Sequence, residues 1–168
     1  MLSLGDRAAG AFSDPPEQLR TLVRAARVVA GYVAIGSEAD VGPLLQLAQA
    51  EGRALAMPFV TSRAEPIIFR RWSPDEPLLA GPYGLRQPPA DAPCIEPDLI
   101  LAPLLGFDAD LNRLGQGAGH YDRAFAALPA AKRIGVAWSV QQVDTLPADP
   151  WDVPLHAILT ETSWMEKN

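Results

Sequence analysis

One stretch of this chain has the residue types and spacing for chemistry: Arg113-Leu114-Gly115-Gln116-Gly117-Ala118-Gly119-His120-Tyr121-Asp122-Arg123. Three glycines at alternate positions let the backbone take φ > 0 and bring its N–H groups close to a ligand. The apolar run before it, residues 99–105, reads as a buried strand. Tyr121, Phe125 and Leu128 after it, at i, i+4 and i+7, read as one face of a helix. Successive N–H groups at a helix N-terminus make a partly positive concavity suited to phosphate. No Gly-Lys-Ser/Thr follows, so this is not the Walker pattern, and the spacing is not the Gly-x-Gly-x-x-Gly of dinucleotide binding. The spacing alone gives an anion site, with phosphate foremost; a glycine-rich turn without a ligand is the competing reading.

The elements that must position this loop follow from periodicity. Asp14-Pro15 has the form of an N-cap followed by Pro at N1, and Leu19, Leu22, Val23 and Ala26 give a helical face through about Arg27. Arg20, Arg24 and Arg27 line the other side as a solvated face. Residues 28–35 read as a buried strand. Ser37 and Asp40 have capping-box spacing for a helix carrying Leu44, Leu45, Leu47 and Ala48 and stopping near Gly52. Glu38 is left as a carboxylate at a strand mouth, a usual ligand position in open α/β sheets. Residues 54–59 and 67–69 are two more strands, split by Thr61-Ser62-Arg63. Turns are expected at 72–75 and 81–84, and a Pro-rich loop over 87–97. Pro129 ends the helix after the glycines, and strands follow at 133–138 and 155–159. The tail after Thr160 has no assignment, and residues 1–14 read as a weak helix or frayed end. Strands alternating with helices predict an α/β fold with a mainly parallel sheet. One domain over 1–168 is expected, with residues 1–27 an N-terminal helical segment and 28–168 the α/β core.

Composition narrows the partners. At 168 residues the chain suits one domain with a substantial core, and a net charge of −6 argues against a nucleic-acid footprint. Cys94 is alone, which excludes an intrachain disulfide and argues against a zinc cluster. The start lacks a basic segment followed by a long apolar core, and no apolar run reaches membrane-spanning length. A cytoplasmic monomer without membrane or nucleic-acid partners is the expectation.

The loop, with Gly106-Phe107-Asp108 before it, resembles the signature of the 5-formyltetrahydrofolate cyclo-ligase (5,10-methenyltetrahydrofolate synthetase) family. Tyr32-Val33-Ala34-Ile35-Gly36-Ser37-Glu38-Ala39-Asp40, Ala56-Met57-Pro58, Gly81-Pro82-Tyr83-Gly84-Leu85, Pro97-Asp98-Leu99-Ile100, Gln141, Leu146-Pro147 and Asp152-Val153 are similar to the family's other motifs, in order. The resemblance implies a three-layer α/β fold of the NagB-RpiA-CoA-transferase-like kind with a deep cleft. It also implies a ligase that uses Mg-ATP to convert 5-formyltetrahydrofolate to 5,10-methenyltetrahydrofolate, releasing ADP and phosphate.

By the same resemblance the residues Arg113, Leu114, Gly115, Gln116, Gly117, Ala118, Gly119, His120 and Tyr121 contact ATP. Gln116 through His120 also contact the folate. Asp122 and Asp152 match magnesium carboxylates, and Arg113 and Arg123 would neutralise charge as phosphoryl moves. Glu38 would pair with the pterin ring N–H and amino group, with Val33 and Tyr83 as apolar and aromatic walls. Simpler readings stand beside these: a helix-dipole contact for Asp122, a loop acid for Asp152, core packing for Val33 and Tyr83, an exposed loop histidine for His120. The sequence departs from the family at the N-terminal basic helix, which has no counterpart before the helix that runs to Arg27. No lysine precedes Lys132, His120 stands where Tyr is common, and His156 where a second acid often follows. The departure predicts a weak nucleotide contact and a high KM for ATP. Alternative readings are a non-catalytic or weakly active folate- or nucleotide-binding member, and an unrelated sugar-phosphate or acyl-transfer enzyme with an anion loop. Glu38, Asp122, Asp152 and the whole glycine loop favour the enzyme.

Overall fold

The structure is a computed structural model and describes residues 10–167; residues 1–9, most of the stretch expected as weak helix or frayed end, and residue 168 lie outside it. In chain order the elements are α1 (Glu17–Ala25), β1 (Val28–Ala30), α2 (Gly42–Ala50), β2 (Ala54–Phe59), β3 (Ile68–Trp72), β4 (Leu79–Ala80) and β5 (Arg86–Gln87). Then come β6 (Leu99–Ala102), β7 (Gly106–Phe107), β8 (Arg113–Leu114), α3 (His120–Ala127), β9 (Lys132–Val136), β10 (Ala157–Leu159) and β11 (Trp164–Glu166). Seven strands form one sheet in the order β11-β10-β9-β6-β1-β2-β3, and β4-β5 and β7-β8 are separate two-stranded pairs. The sheet is parallel from β10 to β2 and antiparallel at both edges, where β3 pairs with β2 and β11 with β10.

Alternation along the strands builds the layers. Leu99 and Leu101 of β6 face one core with Val29, Leu55 and Met57, against Leu19 and Val23 of α1 and Leu44, Leu45 and Ala48 of α2. Ile100 and Ala102 face the other with Ala30, Ala56 and Ile158, against Ala124 and Phe125 of α3. Helices therefore cover both faces, and the middle strand reads as a continuous apolar run because neither face meets water. From β1 the chain moves through α2 to β2 on one side; from β6 it moves through α3 to β9 on the other. The order reverses between β1 and β6, and in open α/β sheets ligands bind beyond the strand ends at such a point. At the opposite end of the same strands the Asp98 carboxylate accepts from Arg27 N and Val28 N at 2.9–3.0 Å, tying the starts of β1 and β6.

Several boundaries differ from expectation for local reasons. The strand expected over 28–35 stops at Ala30. Gly31 N–H still reaches Ala56 O at 3.0 Å, but Tyr32 then turns inward and its hydroxyl donates to Ala39 O at 2.6 Å. The Ser37–Asp40 capping box does not form. Pro43 lacks an N–H and pre-sets helical φ, so α2 starts beside it with Val41 as N-cap. The Asp40 carboxylate accepts from Gly42 N instead, and Ser37 O accepts from Trp138 Nε1. Asp14 likewise caps nothing: Pro16 is the N-cap of α1, and Asp14 pairs with Arg20 at 2.8 Å. The unassigned tail holds β11, reached by a turn in which Thr160 Oγ1 accepts from Ser163 N at 3.0 Å. No helix among the described residues is long and apolar enough to cross a membrane.

Candidate active site

The glycine loop leaves β8 and enters α3. Gly117 and Gly119 take φ of +91° and +69°, a region that costs other residues about 1–2 kcal/mol, and Gly119 is the N-cap of α3. Among the described residues the backbone N–H groups of Gly115, Gln116, Gly117, Ala118 and Gly119 have no hydrogen-bond acceptor. Successive unbonded donors ahead of a helix N-terminus are the arrangement from which anion-binding sites are built.

Two arginines flank it in different ways. Arg113 donates from Nε to Pro103 O at 3.0 Å, and its guanidinium lies 5.1 Å from the centre of the Tyr121 ring. Burial pulls the Arg113 pKa down, opposed by the acidic groups of Tyr121, Asp122, Glu38 and Asp152. Burial also pushes the Tyr121 phenol well above its ordinary range, with Arg113 opposing and Glu38 adding to the rise. At neutral pH Arg113 is charged and Tyr121 protonated. Arg123 is held differently, donating to Ala118 O at 3.1 Å and to Arg63 O at 2.8 Å. His120, expected as an exposed loop histidine, is half-buried with Nε2 3.2 Å from Ser62 O. The loop between β2 and β3 thus lies against the first turn of α3.

Asp122 Oδ1 accepts from Val153 N at 3.2 Å, and Asp152, the preceding residue, accepts from Asp149 N through Oδ2 at 2.7 Å. The bond to Val153 N brings the backbone next to Asp152 onto Asp122 at this corner of the loop, and each carboxylate has its other oxygen unpaired among the described residues. No group of three or more His, Cys, Asp or Glu able to hold a metal occurs among the described residues. Two carboxylates with water and phosphate oxygens completing the shell fit Mg²⁺, which rarely takes an all-protein cage. Beside this corner a cavity of about 450 Å³ is lined by Gly117, Ala118, Gly119, Asp122, Arg123, Ala126 and Trp151.

On the other side of the loop Glu38 accepts from Ile35 N at 3.0 Å through Oε2, and from Gln116 Nε2 at 3.4 Å through Oε1. One oxygen is occupied by its own turn. Val33 is half-buried against the core. Tyr83 is not core: it is 58% exposed, at φ +60°, and its hydroxyl accepts from Arg63 N at 3.1 Å. The Arg63 guanidinium lies over its ring at 5.4 Å. Leu114 is exposed, and its carbonyl accepts from Leu105 N at 2.7 Å.

Two contributors have roles that the sequence did not indicate, although Asp108 stands in the family signature. Arg63 is one arginine in a polar loop. Asp108 is 1% exposed, and its carboxylate accepts from Asp110 N, Asn112 N, Asn112 Nδ2 and Leu146 N at 2.9–3.1 Å. Burial alone would raise the Asp108 carboxyl; these hydrogen bonds outweigh it and hold the pKa below its ordinary value. With Val143 N to Phe107 O and Leu155 N to Leu111 O, it straps the segment bearing Asp152 onto the β7–β8 hairpin.

The sequence profile of the 5-formyltetrahydrofolate cyclo-ligase family matches residues 15–161. The chain is 32% identical over 143 residues to a 5-formyltetrahydrofolate cyclo-ligase of Haemophilus influenzae, covering 81% of this chain and 76% of the relative. It is 37% identical over 142 residues to one of Mycolicibacterium smegmatis, covering 80% and 73%. The fold is similar to the NMR structure of Aquifex aeolicus 5,10-methenyltetrahydrofolate synthetase, with a TM-score of 0.72 at 29% identity, covering 98% of this chain and 84% of that one. The chain belongs to the 5-formyltetrahydrofolate cyclo-ligase family, whose members are ligases.

Proposed function

We propose that this chain converts 5-formyltetrahydrofolate to 5,10-methenyltetrahydrofolate at the expense of ATP, with Mg²⁺, releasing ADP and phosphate. The observation that carries the reading is the row of five unbonded N–H groups at the start of α3, between the Asp122–Asp152 corner and Glu38. In the reaction the formyl oxygen on N5 attacks the γ-phosphorus, and the bond to ADP breaks. N10 then attacks the activated formyl carbon, its proton passes to solvent, and the C–O bond breaks to release phosphate. The formyl oxygen is a poor leaving group until phosphorylated, so holding two substrates face to face is most of the catalytic task.

The chain's residues divide that task. The N–H row holds phosphate oxygens, and Arg113, fixed by Pro103 O and the Tyr121 ring, offsets charge on the moving phosphoryl group. Arg123 keeps the loop in shape through Ala118 O and brings a second charge to its edge. Asp122 and Asp152 would hold Mg²⁺, which supplies charge neutralisation on the triphosphate. Glu38 takes the pterin N–H pair, with Gln116 beside it and Val33 and Tyr83 as walls. This scheme needs no membrane, no nucleic acid and no second copy of the chain.

The test is incubation with 5-formyltetrahydrofolate and Mg-ATP, following methenyl absorbance and ADP together. Equal amounts of both products support the reading. Folate binding without either product would favour a non-catalytic family member.

A further inference from the structure

The cavity beside the glycine loop has a shape that the phosphates alone do not use. Its floor follows one face of α3: Gly119, Asp122, Arg123 and Ala126 stand at i, i+3, i+4 and i+7. Seven residues at 1.5 Å rise take it about 10 Å from the N–H row. At the far end Ala126 offers only a methyl group, and Trp151 is the one lining residue contributed from outside the loop and α3. Trp151 is 70% exposed, an unusual state for an indole. The turn carrying it is fixed by Asp152 N to Asp149 O at 3.0 Å and Asp149 N to the Asp152 carboxylate at 2.7 Å. The indole is presented to solvent from a braced turn, one residue before Asp152.

We propose that Trp151 is the platform on which the base of a bound nucleoside triphosphate stacks. The proposal rests on the reading of the glycine loop as a triphosphate site. With the phosphates on the N–H row, the base extends along α3 and lies between the indole face and the Ala126 methyl. An exposed indole beside a methyl group suits a purine, whose π-face is larger than a pyrimidine's. Stacking on an aromatic side chain is tolerant of base identity, so GTP should bind within a few-fold of ATP, and CTP more weakly.

The experiment compares Mg-ATP with inorganic tripolyphosphate, which has the phosphates and no base, on wild type, Trp151→Ala and Trp151→Phe, by calorimetry. Trp151→Ala is expected to weaken Mg-ATP by about tenfold to a hundredfold, while tripolyphosphate affinity is unchanged. Trp151→Phe should restore most of the loss. ATP, but not tripolyphosphate, should also quench indole fluorescence in wild type. Equal weakening of both ligands in Trp151→Ala would mean the residue only supports the Asp152 turn, and overturns the proposal. Unchanged ATP affinity overturns it as well while leaving the loop's role intact. Failure of wild type to bind either ligand would remove the triphosphate site and this inference together.

Discussion

The Asp122 carboxylate and the Val153 backbone N–H are joined by a hydrogen bond of 3.2 Å across 31 positions of sequence. The bond fixes the closing segment to the first turn of α3 and makes Asp152 a neighbour of Asp122. Asp122→Asn keeps the acceptor oxygen and the bond but removes a negative charge. Activity in the variant should need a several-fold higher Mg²⁺ concentration, with thermal stability nearly unchanged. A magnesium titration that superimposes on wild type would leave Asp122 as a helix-terminus acid and no more.

Gly117→Val places a β-branched residue at φ +91°, which branched side chains essentially avoid. An added Cβ there meets no atom within 4 Å, so the cost falls on the loop backbone rather than on packing. The fold should persist by circular dichroism while Mg-ATP affinity falls by tenfold or more. Unchanged affinity in calorimetry would take the loop out of the nucleotide site.

Glu38→Gln retains size and exchanges one acceptor for a donor. If the pterin is read by this side chain, a paired hydrogen bond becomes a mismatch worth about 2–5 kcal/mol when buried. Folate affinity should drop by at least an order of magnitude while ATP affinity holds. Should both hold, the carboxylate serves only its own turn through Ile35 N.

Asp108→Asn tests the strap between hairpin and closing segment. At least one partly buried donor loses its acceptor, costing about 1 kcal/mol. The wild-type carboxyl has a lower pKa folded than unfolded. Its contribution is therefore complete above the unfolded value of about 3.9 and disappears as pH falls through the folded one. Urea unfolding midpoints of wild type and Asp108→Asn should differ at pH 7 and converge as the pH is lowered below about 4. A pH-independent difference would assign the loss to packing instead of ionisation.

What could be read in the sequence follows the strength of the local physics. β6 and α3 are legible because one is apolar on both faces and the other repeats Tyr121, Phe125 and Leu128 at helical spacing, so the glycine loop between them could be placed without a fold. The Ser37–Asp40 box failed because Pro43 competes for the helix start with a stronger constraint. The β4–β5 and β7–β8 pairs are two residues per strand, too short for alternation to register. The contacts of Arg63 and Asp108 join positions far apart in sequence: Arg63 to Arg123, Asp108 to Leu146. Such pairings are set by tertiary docking, and a single chain carries no local signal for them.

The placement of β6 also sets a hierarchy of motion. It is fourth of seven strands, hydrogen-bonded to β1 on one side and β9 on the other, and its four residues are 0–1% exposed. Its amides can exchange with solvent only through global unfolding, whereas the unbonded N–H groups of residues 115–119 exchange from the native state. Deuterium uptake should thus span nearly the full range within some fifteen residues of chain. A bound triphosphate would slow the loop amides locally and leave β6 limited by the stability of the whole domain. Exchange in the glycine loop would then report ligand binding, while its anchor on the sheet reports only the stability of the whole domain.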